Sequence, residues 1–256
     1  MSSVPSFNLS QEKVSFDVKC KEYLKLWLEL KKELDAKNVK ALVYGSVGIF
    51  YRLSSVDDAV ELMKLYRKNG PQDMNVIVME KDREVFKEVI QKAGFTPYYH
   101  LEFTIGNLAG MFFLDNYIIK VYYMDEMKFN HDIPIDWSEF LAFNLTDLLL
   151  SKLQIHFPLD KDIADIIAII LKDEEISRSK IIETISNDYG LWKDSISNLE
   201  KVRQLASRLE MDNPRVKDRL KKAIVTSIKI HGELMNSKKG DKWIPKGDEE
   251  KYWRDF

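Results

Sequence analysis

The strongest constraint on the fold is a change of hydrophobic pattern near Trp137. Before this residue, short runs of β-branched and aromatic residues alternate with longer stretches whose apolar residues recur at helical spacing, whereas after it only the helical spacing is found. Short apolar runs predict buried strands, and the helical period predicts amphipathic helices. The sequence therefore predicts an α+β fold of two domains, with a mixed β-sheet flanked by helices in residues 1–136 and a helical bundle in residues 137–256.

The predicted elements of the first domain begin with one long amphipathic helix, after which strands and helices alternate. In chain order they are a helix at 11–37, a strand at 40–45, a helix at 46–53 capped by Ser46, a helix at 57–68, a strand at 74–79, a helix at 81–93 capped by Gly94, and two strands joined by a tight turn at Asp115-Asn116. The second domain is predicted to contain helices at 145–156, 161–172, 179–186, 195–210 and 214–235.

The composition is that of a globular protein, with 45% hydrophobic and 31% charged residues in a chain of 256. Cys20 is the single cysteine, which excludes a disulfide within the chain and a cysteine-based zinc site and is typical of a reducing compartment. The most apolar helical stretch, residues 163–171, is too short to span a bilayer. We therefore expect a cytoplasmic protein that makes no contact with membranes.

Positive charge is concentrated near the end of the chain, although the net charge of the whole chain is −2. Residues 201–240 contain eleven Lys and Arg against four Asp and Glu. The basic residues on one side of the predicted helix at 214–235 are Arg215, Arg219, Lys222 and Lys229. Such a stripe is typical either of a solvated helix face or of a surface that contacts an RNA backbone, and both interpretations stay open.

Gly45 and Ser46 stand where the first predicted strand passes into a helix. The first backbone N–H groups of a helix have no partner within it, and together with the positive end of the helix dipole they suit a phosphate. Gly45 would allow close approach of a triphosphate, and the Ser46 hydroxyl would add a hydrogen bond. The alternative is an ordinary strand-to-helix turn.

Asp73 and Asn75 stand at the beginning of the second predicted strand. Residues two apart in a strand point to the same face, and oxygen ligands on one face at a strand end are how many phosphoryl-transfer enzymes hold Mg²⁺. Here the second ligand is a neutral amide oxygen, which reduces the charge of the site. Alternatively, Asp73 closes the turn that follows Pro71.

These motifs resemble the signature of the nucleotidyltransferase superfamily. VYGSVGIFYRL followed by QDMNVIVM is similar to its Gly-Ser at a helix start and its acidic pair on the next strand. Downstream, LTDLLLSKLQIHF, KDIADIIAIIL and SNDYGLWKDSISNLEKV are similar to the helical part of uncharacterised prokaryotic nucleotidyltransferase-like proteins that are distantly related to abortive-infection toxins. The resemblance covers residues 40–203.

The resemblance assigns roles unevenly to the residues of this chain. It implies that Gly45 and Ser46 bind the triphosphate and that Asp73 is the first metal carboxylate. Asn75 departs from the second carboxylate, and Lys120 in IIKVYYMD stands where a third is expected. Two carboxylates are thus lost, unless Asp125 or Glu126 replaces one, and Lys120 would instead neutralise charge or contact a phosphate.

Lys152 lies in LLLSKLQIHF on the helix face that carries Leu148 and Leu149, where a lysine needs a partner or a cleft. The resemblance implies that its ammonium group binds substrate phosphate. The alternative is a lysine whose stem is buried and whose head reaches solvent. Asp162 and Asp165 complement the dipole of the next helix, while the resemblance implies that they position Lys152 or Lys161.

Two functional hypotheses follow. In the first, the chain uses Mg²⁺ or Mn²⁺ to transfer a nucleoside monophosphate from a nucleoside triphosphate (NTP) to a hydroxyl of an RNA, a protein or a small molecule. The catalytic residues are then Asp73 and Lys152, the metal ligands Asp73 and Asn75, and the nucleotide-binding residues Gly45, Ser46, Lys120 and Lys152. In the second, the site is degenerate and the protein is an inactive nucleotidyltransferase-fold module that binds nucleotide or RNA or acts as a scaffold.

Overall fold

The computed structural model describes residues 15–209, 214–241 and 243–245. Helices and a mixed sheet form an α+β architecture, which confirms the predicted fold class. The helices are α1 (Phe16–Ala36), α2 (Gly45–Leu53), α3 (Asp57–Tyr66), α4 (Arg83–Lys92), α5 (Tyr99–Ile105), α6 (Leu145–Leu153), α7 (Asp160–Ile170), α8 (Arg178–Ser186), α9 (Tyr189–Arg208) and α10 (Pro214–Asn236), with single 3-10 turns at Glu80–Asp82 and Asp173–Glu175. The strands are β1 (Ala41–Tyr44), β2 (Met74–Val78), β3 (Thr96–Pro97), β4 (Ala109–Leu114), β5 (Tyr117–Tyr123), β6 (Glu126–Lys128) and β7 (Asp132–Pro134).

Five strands form the main sheet in the order β1-β2-β5-β4-β3, and β6 with β7 forms a separate hairpin. β2 and β5 run parallel, while the other neighbours in the main sheet are antiparallel. In this register Asn75 of β2 pairs with Tyr44 of β1 on one side and with Lys120 of β5 on the other. The sheet therefore places Tyr44, Asn75 and Lys120, which come from three separate segments of the chain, side by side on adjacent strands.

The outer edge of β1 is covered by residues 141–143. Val43 donates its backbone N–H to Leu141 at 3.1 Å, and Phe143 donates its own to Val43 at 3.0 Å. The Trp27 indole nitrogen also donates to the Leu141 carbonyl at 3.1 Å. An exposed edge strand would pair with other chains, and this segment shields it.

The hydrophobic core continues across residue 136. A Cβ atom at Gly48 of α2 would lie 3.0 Å from the Val43 carbonyl oxygen and 3.5 Å from a methyl group of Leu148, so the absent side chain lets α2 pack closely between β1 and α6. α3 packs against α7 within one cluster of buried residues that spans both halves of the chain. The boundary at residue 136 stays a prediction. Among the described residues, each helix is too short or too polar to cross a bilayer.

Most predicted elements are present, with differences at their ends. The turn at Asp115-Asn116 joins β4 to β5 as predicted, and Gly94 follows α4 with a φ of +96°. The prediction that Ser46 caps α2 is wrong, because the extended residue before the helix is Tyr44, and Ser46 lies within the first turn. α9 begins at Tyr189, six residues earlier than predicted, because the Asp188 carboxylate accepts a hydrogen bond from the Leu191 N–H at 2.9 Å.

The elements that the sequence did not predict are short: β3, α5, β6 and β7. Residues 11–14 of the first predicted helix lie outside the described residues.

Candidate functional site

A cavity of about 550 Å³ lies where the N-terminus of α2 meets the segment after α3 and the facing ends of α6 and α7. Its volume is within the range of sites that hold small molecules. The sequence-predicted site residues that line it are Gly45, Ser46, Asp73, Asn75 and Lys152. Lys120 does not line the cavity but contacts Asp73 from the neighbouring strand. The structure thus brings all six predicted residues into one region.

The N-terminus of α2 opens into this cavity without a capping side chain. Tyr44 precedes the helix and makes no side-chain cap, and the first turn contains no acidic residue. The Ser46 hydroxyl has no hydrogen-bond partner among the described residues. Gly45 has a φ of +66°, which favours glycine irrespective of any ligand. This corner can bind an anion, to which its backbone N–H groups and the Ser46 hydroxyl would donate hydrogen bonds.

Asp73 is held by two donors. The Nζ atom of Lys120 lies 2.8 Å from one carboxylate oxygen, and the side-chain nitrogen of Asn75 donates to the other at 3.0 Å. A Cβ atom at Gly45 would lie 3.4 Å from the same Asn75 nitrogen, so the helix corner and the strand edge are in contact. In this arrangement Asn75 presents its amide nitrogen, and not its carbonyl oxygen, to Asp73.

The residues around Asp73 do not fit a divalent metal. Within the described ranges, no cluster of three or more His, Cys, Asp or Glu side chains has a geometry suited to a metal ion. Asp125 and Glu126, the suggested replacement carboxylates, line a different cleft beside Trp137. Hard cations need several oxygen ligands, whereas here a single carboxylate already accepts from an ammonium and an amide. The Mg²⁺ site stays a prediction for which this donor set offers no support.

Lys152 is largely buried, with 12% of its side chain exposed, and its ammonium group is paired with carboxylates. Its Nζ atom lies 2.8 Å from Asp162 and 2.9 Å from Asp165. Burial alone would lower the pKa of Lys152, but these two carboxylates outweigh it and raise the pKa above the ordinary value. Asp162 also accepts from the Leu159 N–H at 3.2 Å. Asp162 therefore both complements the start of α7 and positions Lys152, whereas Asp165 lies beyond the first turn and contacts Lys152 from there.

Arg67 lines the cavity, although no sequence pattern indicated it. It follows α3, its side chain is only 10% exposed, and its Nη2 atom donates to Asp165 at 2.5 Å. Its Nη1 atom is buried and has no hydrogen-bond partner. The second carboxylate oxygen of Asp165, Oδ1, is also buried and without a partner. A buried donor without a partner is costly. Because this atom is inaccessible to solvent, the Arg67 side chain would have to shift to bring it to a ligand in the cavity.

Two further cations at the cavity are exposed. Neither Lys68 nor Lys161 forms an ion pair with any residue in the described part of the chain. Of the described charged residues that line the cavity, Arg67, Lys68, Lys152 and Lys161 are cationic and Asp73 and Asp162 are anionic. Each of the two carboxylates already contacts a lysine. The lining therefore has an excess of positive charge that suits an anionic ligand.

The remaining wall of the cavity is aromatic. Tyr44, Tyr66, Tyr122 and Phe129 line it. The Tyr44 ring packs between Phe129 and Phe143, with ring centroids 5.6 and 5.7 Å away. Burial raises the pKa of Tyr44 well above its ordinary value, so its hydroxyl is protonated at neutral pH. This wall offers apolar area and phenol groups for a ring-containing ligand.

The predicted basic stripe of α10 is partly neutralised within the chain. Arg219 pairs with Asp58 at 3.4 Å, and Lys222 pairs with Asp173 at 2.9 Å. Lys229 is exposed, and the Arg215 side chain lies outside the described residues. Contact with RNA through this stripe stays a prediction.

Comparison with known proteins finds no matching family model, no matching curated protein and no matching solved structure. The resemblance to nucleotidyltransferases stays a prediction that depends on the motifs quoted above.

Proposed function

We propose that the protein binds a nucleoside triphosphate in the cavity at the N-terminus of α2. The observation that carries this proposal is the meeting of an uncapped helix N-terminus with an excess of cations in one cavity of about 550 Å³. The phosphates lie against α2 and the cations, and the base lies toward the aromatic wall. This is the nucleotide-binding form of the second sequence hypothesis.

The buried cations support a phosphate ligand through geometry as well as charge. Arg67 lines the cavity, and a guanidinium group binds phosphate oxygens well. Lys152 is fixed by Asp162 and Asp165, so it needs no rearrangement when a ligand arrives. The exposed Lys68 and Lys161 add charge at the cavity.

Transfer of a nucleoside monophosphate is the less supported of the two hypotheses. Activation of a hydroxyl by a metal requires carboxylates that are available to the metal, and Asp73 is engaged by Lys120 and Asn75. Transfer of label from radioactive NTP to an RNA or protein acceptor in Mg²⁺ or Mn²⁺ would replace our proposal with the first hypothesis.

Calorimetric titration with each of the four NTPs, in buffers with and without Mg²⁺, tests the proposal. Removal of Lys152 would leave Asp162 without its ion pair and Asp165 with Arg67 alone, and would confound binding with folding. Lys68→Gln and Lys161→Gln are cleaner, because both side chains are exposed and lack an ion pair in the described part of the chain.

We expect each of these substitutions to weaken binding about two- to fivefold, as one exposed charge contact does. The exposed Lys92 at the end of α4 provides the matched control, and Lys92→Gln should bind like the native chain. Absence of heat with millimolar nucleotide in both buffers would overturn the proposal. Equal binding of inorganic triphosphate would show that the aromatic wall contributes nothing.

A further inference from the structure

The contacts of Asp73 bear on the form in which the proposed ligand binds. One carboxylate oxygen contacts the Lys120 ammonium at 2.8 Å, and the other accepts from Asn75 at 3.0 Å. A divalent ion at this carboxylate would have to lie beside the ammonium, where like charges repel. The Lys120 ammonium group therefore occupies the position beside Asp73 that a metal ion would need.

The second carboxylate of the cavity is engaged in the same way. Asp162 contacts Lys152 at 2.8 Å, and it also accepts from the Leu159 N–H at 3.2 Å. Each described carboxylate that lines the cavity thus has a lysine as its counter-ion. The free positive charge is carried by protein cations, and no carboxylate is left to attract a metal that arrives with the nucleotide.

From this pairing we infer that the cavity selects the metal-free NTP anion and discriminates against its Mg²⁺ complex. The inference rests on the proposed function and states the chemical form of its ligand. Mg²⁺ neutralises two of the four negative charges of a free triphosphate. The complex therefore offers less charge to Arg67, Lys68 and Lys161, and its metal finds no ligand in the protein.

Titration of the full chain with ATP, in EDTA and then in excess Mg²⁺, tests this inference. We expect ATP to bind in EDTA and its affinity to fall about tenfold in Mg²⁺. An affinity that is unchanged or higher in Mg²⁺ overturns the inference and leaves the proposed function intact. No binding in either buffer defeats the proposed function itself.

Lys120→Glu provides the decisive variant. The parallel register of β2 and β5 places residue 120 beside Asn75, so the glutamate would lie next to Asp73 and create an acidic pair. The variant should bind ATP more tightly in Mg²⁺ than in EDTA. Lys92→Glu makes the same change of charge on an exposed residue at the end of α4 and should keep the native preference.

Titration with Mn²⁺ alone, followed by the electron-spin signal of the free ion, gives a readout that needs no nucleotide. The native chain should leave millimolar Mn²⁺ free, whereas Lys120→Glu should bind it. Tight Mn²⁺ binding by the native chain contradicts the inference. If circular dichroism shows that Lys120→Glu misfolds, Lys120→Gln replaces it, because this substitution removes only the charge. Lys120→Gln should still reduce the loss of ATP affinity that Mg²⁺ causes.

Discussion

Arg67 and Asp165, which are 98 residues apart in the chain, form a buried ion pair with 2.5 Å between Nη2 and Oδ2. The pair joins the segment after α3 to α7, and Lys152 of α6 contacts the same carboxylate at 2.9 Å. Three parts of the chain therefore meet at one fully buried carboxylate. This carboxylate therefore holds Arg67 and Lys152 at the wall of the cavity.

Removal of this carboxylate should strongly destabilise the fold. Asp165→Asn leaves two buried cations with reduced compensation, and we expect a loss of roughly 3–5 kcal/mol in the free energy of unfolding. Urea denaturation measures it. Glu61→Gln, which breaks an exposed pair with Lys64, should change stability by less than about 1 kcal/mol. A loss equally small for Asp165→Asn would show that the buried network contributes little.

Ser46→Ala separates ligand binding from stability. The Ser46 hydroxyl lines the cavity and makes no hydrogen bond with a described residue, so the substitution should alter the free energy of unfolding by less than about 0.5 kcal/mol. Binding of ATP should nevertheless weaken if the hydroxyl contacts a phosphate. Denaturation and calorimetry on the same preparation decide the matter, and unchanged affinity would remove Ser46 from the site.

His131 should make stability depend on pH near neutrality. Its ring is buried, with one nitrogen 3.3 Å from Asp188 and the other 3.3 Å from Asp194. Burial alone would lower the pKa of His131, but the two carboxylates raise it above 6.5. The stabilisation that protonated His131 gains from these carboxylates is fully present below its pKa of about 6.5 in the unfolded chain. It is lost as the pH rises through the higher pKa of His131 in the folded protein.

Thermal melts of the native chain and of His131→Gln check this dependence. The difference in Tm between the two should be largest near pH 6 and should shrink at higher pH. His156 also contacts Asp194 at 2.7 Å, so it is kept unchanged in both proteins. His100 is exposed, and His100→Gln should follow the native pH profile. A constant difference between His131→Gln and the native chain contradicts the prediction.

Cys20 should be inert to thiol reagents in the folded protein. It is fully buried in α1, and burial raises the pKa of its thiol far above the ordinary value. Because it is the single cysteine of the chain, its reaction with a chromogenic disulfide should report unfolding without any introduced probe residue. Rapid reaction under native conditions would show that α1 separates from the core.

The sequence predicted the elements that bury apolar runs and missed those that do not. β1 and β2 were recognised because nearly every residue in them is apolar and buried. β6 and β7 have three residues each, with one buried residue apiece, which is too short a run to show an alternation. Local periodicity therefore predicts long elements, while short hairpins depend on contacts elsewhere in the fold.

The candidate site was predicted in part for the same reason. The resemblance to nucleotidyltransferases placed Lys120 where a carboxylate of the same site is expected, and its side chain does contact Asp73. The prediction that Lys152 needs a partner is confirmed by its contacts with Asp162 and Asp165. Arg67 escaped notice because its partner is distant in the chain, and no local spacing encodes a long-range ion pair. The metal role of Asn75 stays a prediction, since amide orientation depends on neighbours that the sequence does not identify.

The coverage of β1 by residues 141–143 has a consequence for synthesis of the chain on the ribosome. Until these residues have left the exit tunnel, the edge of β1 has no partner, and the carbonyl groups that accept hydrogen bonds from Arg52 cannot reach it. The outer edge of β1 therefore stays unpaired until residues 141–143 are available. We expect a truncated product that ends at residue 136 to associate with chaperones or with other nascent chains, because the N–H and C=O groups on the outer edge of β1 remain unpaired.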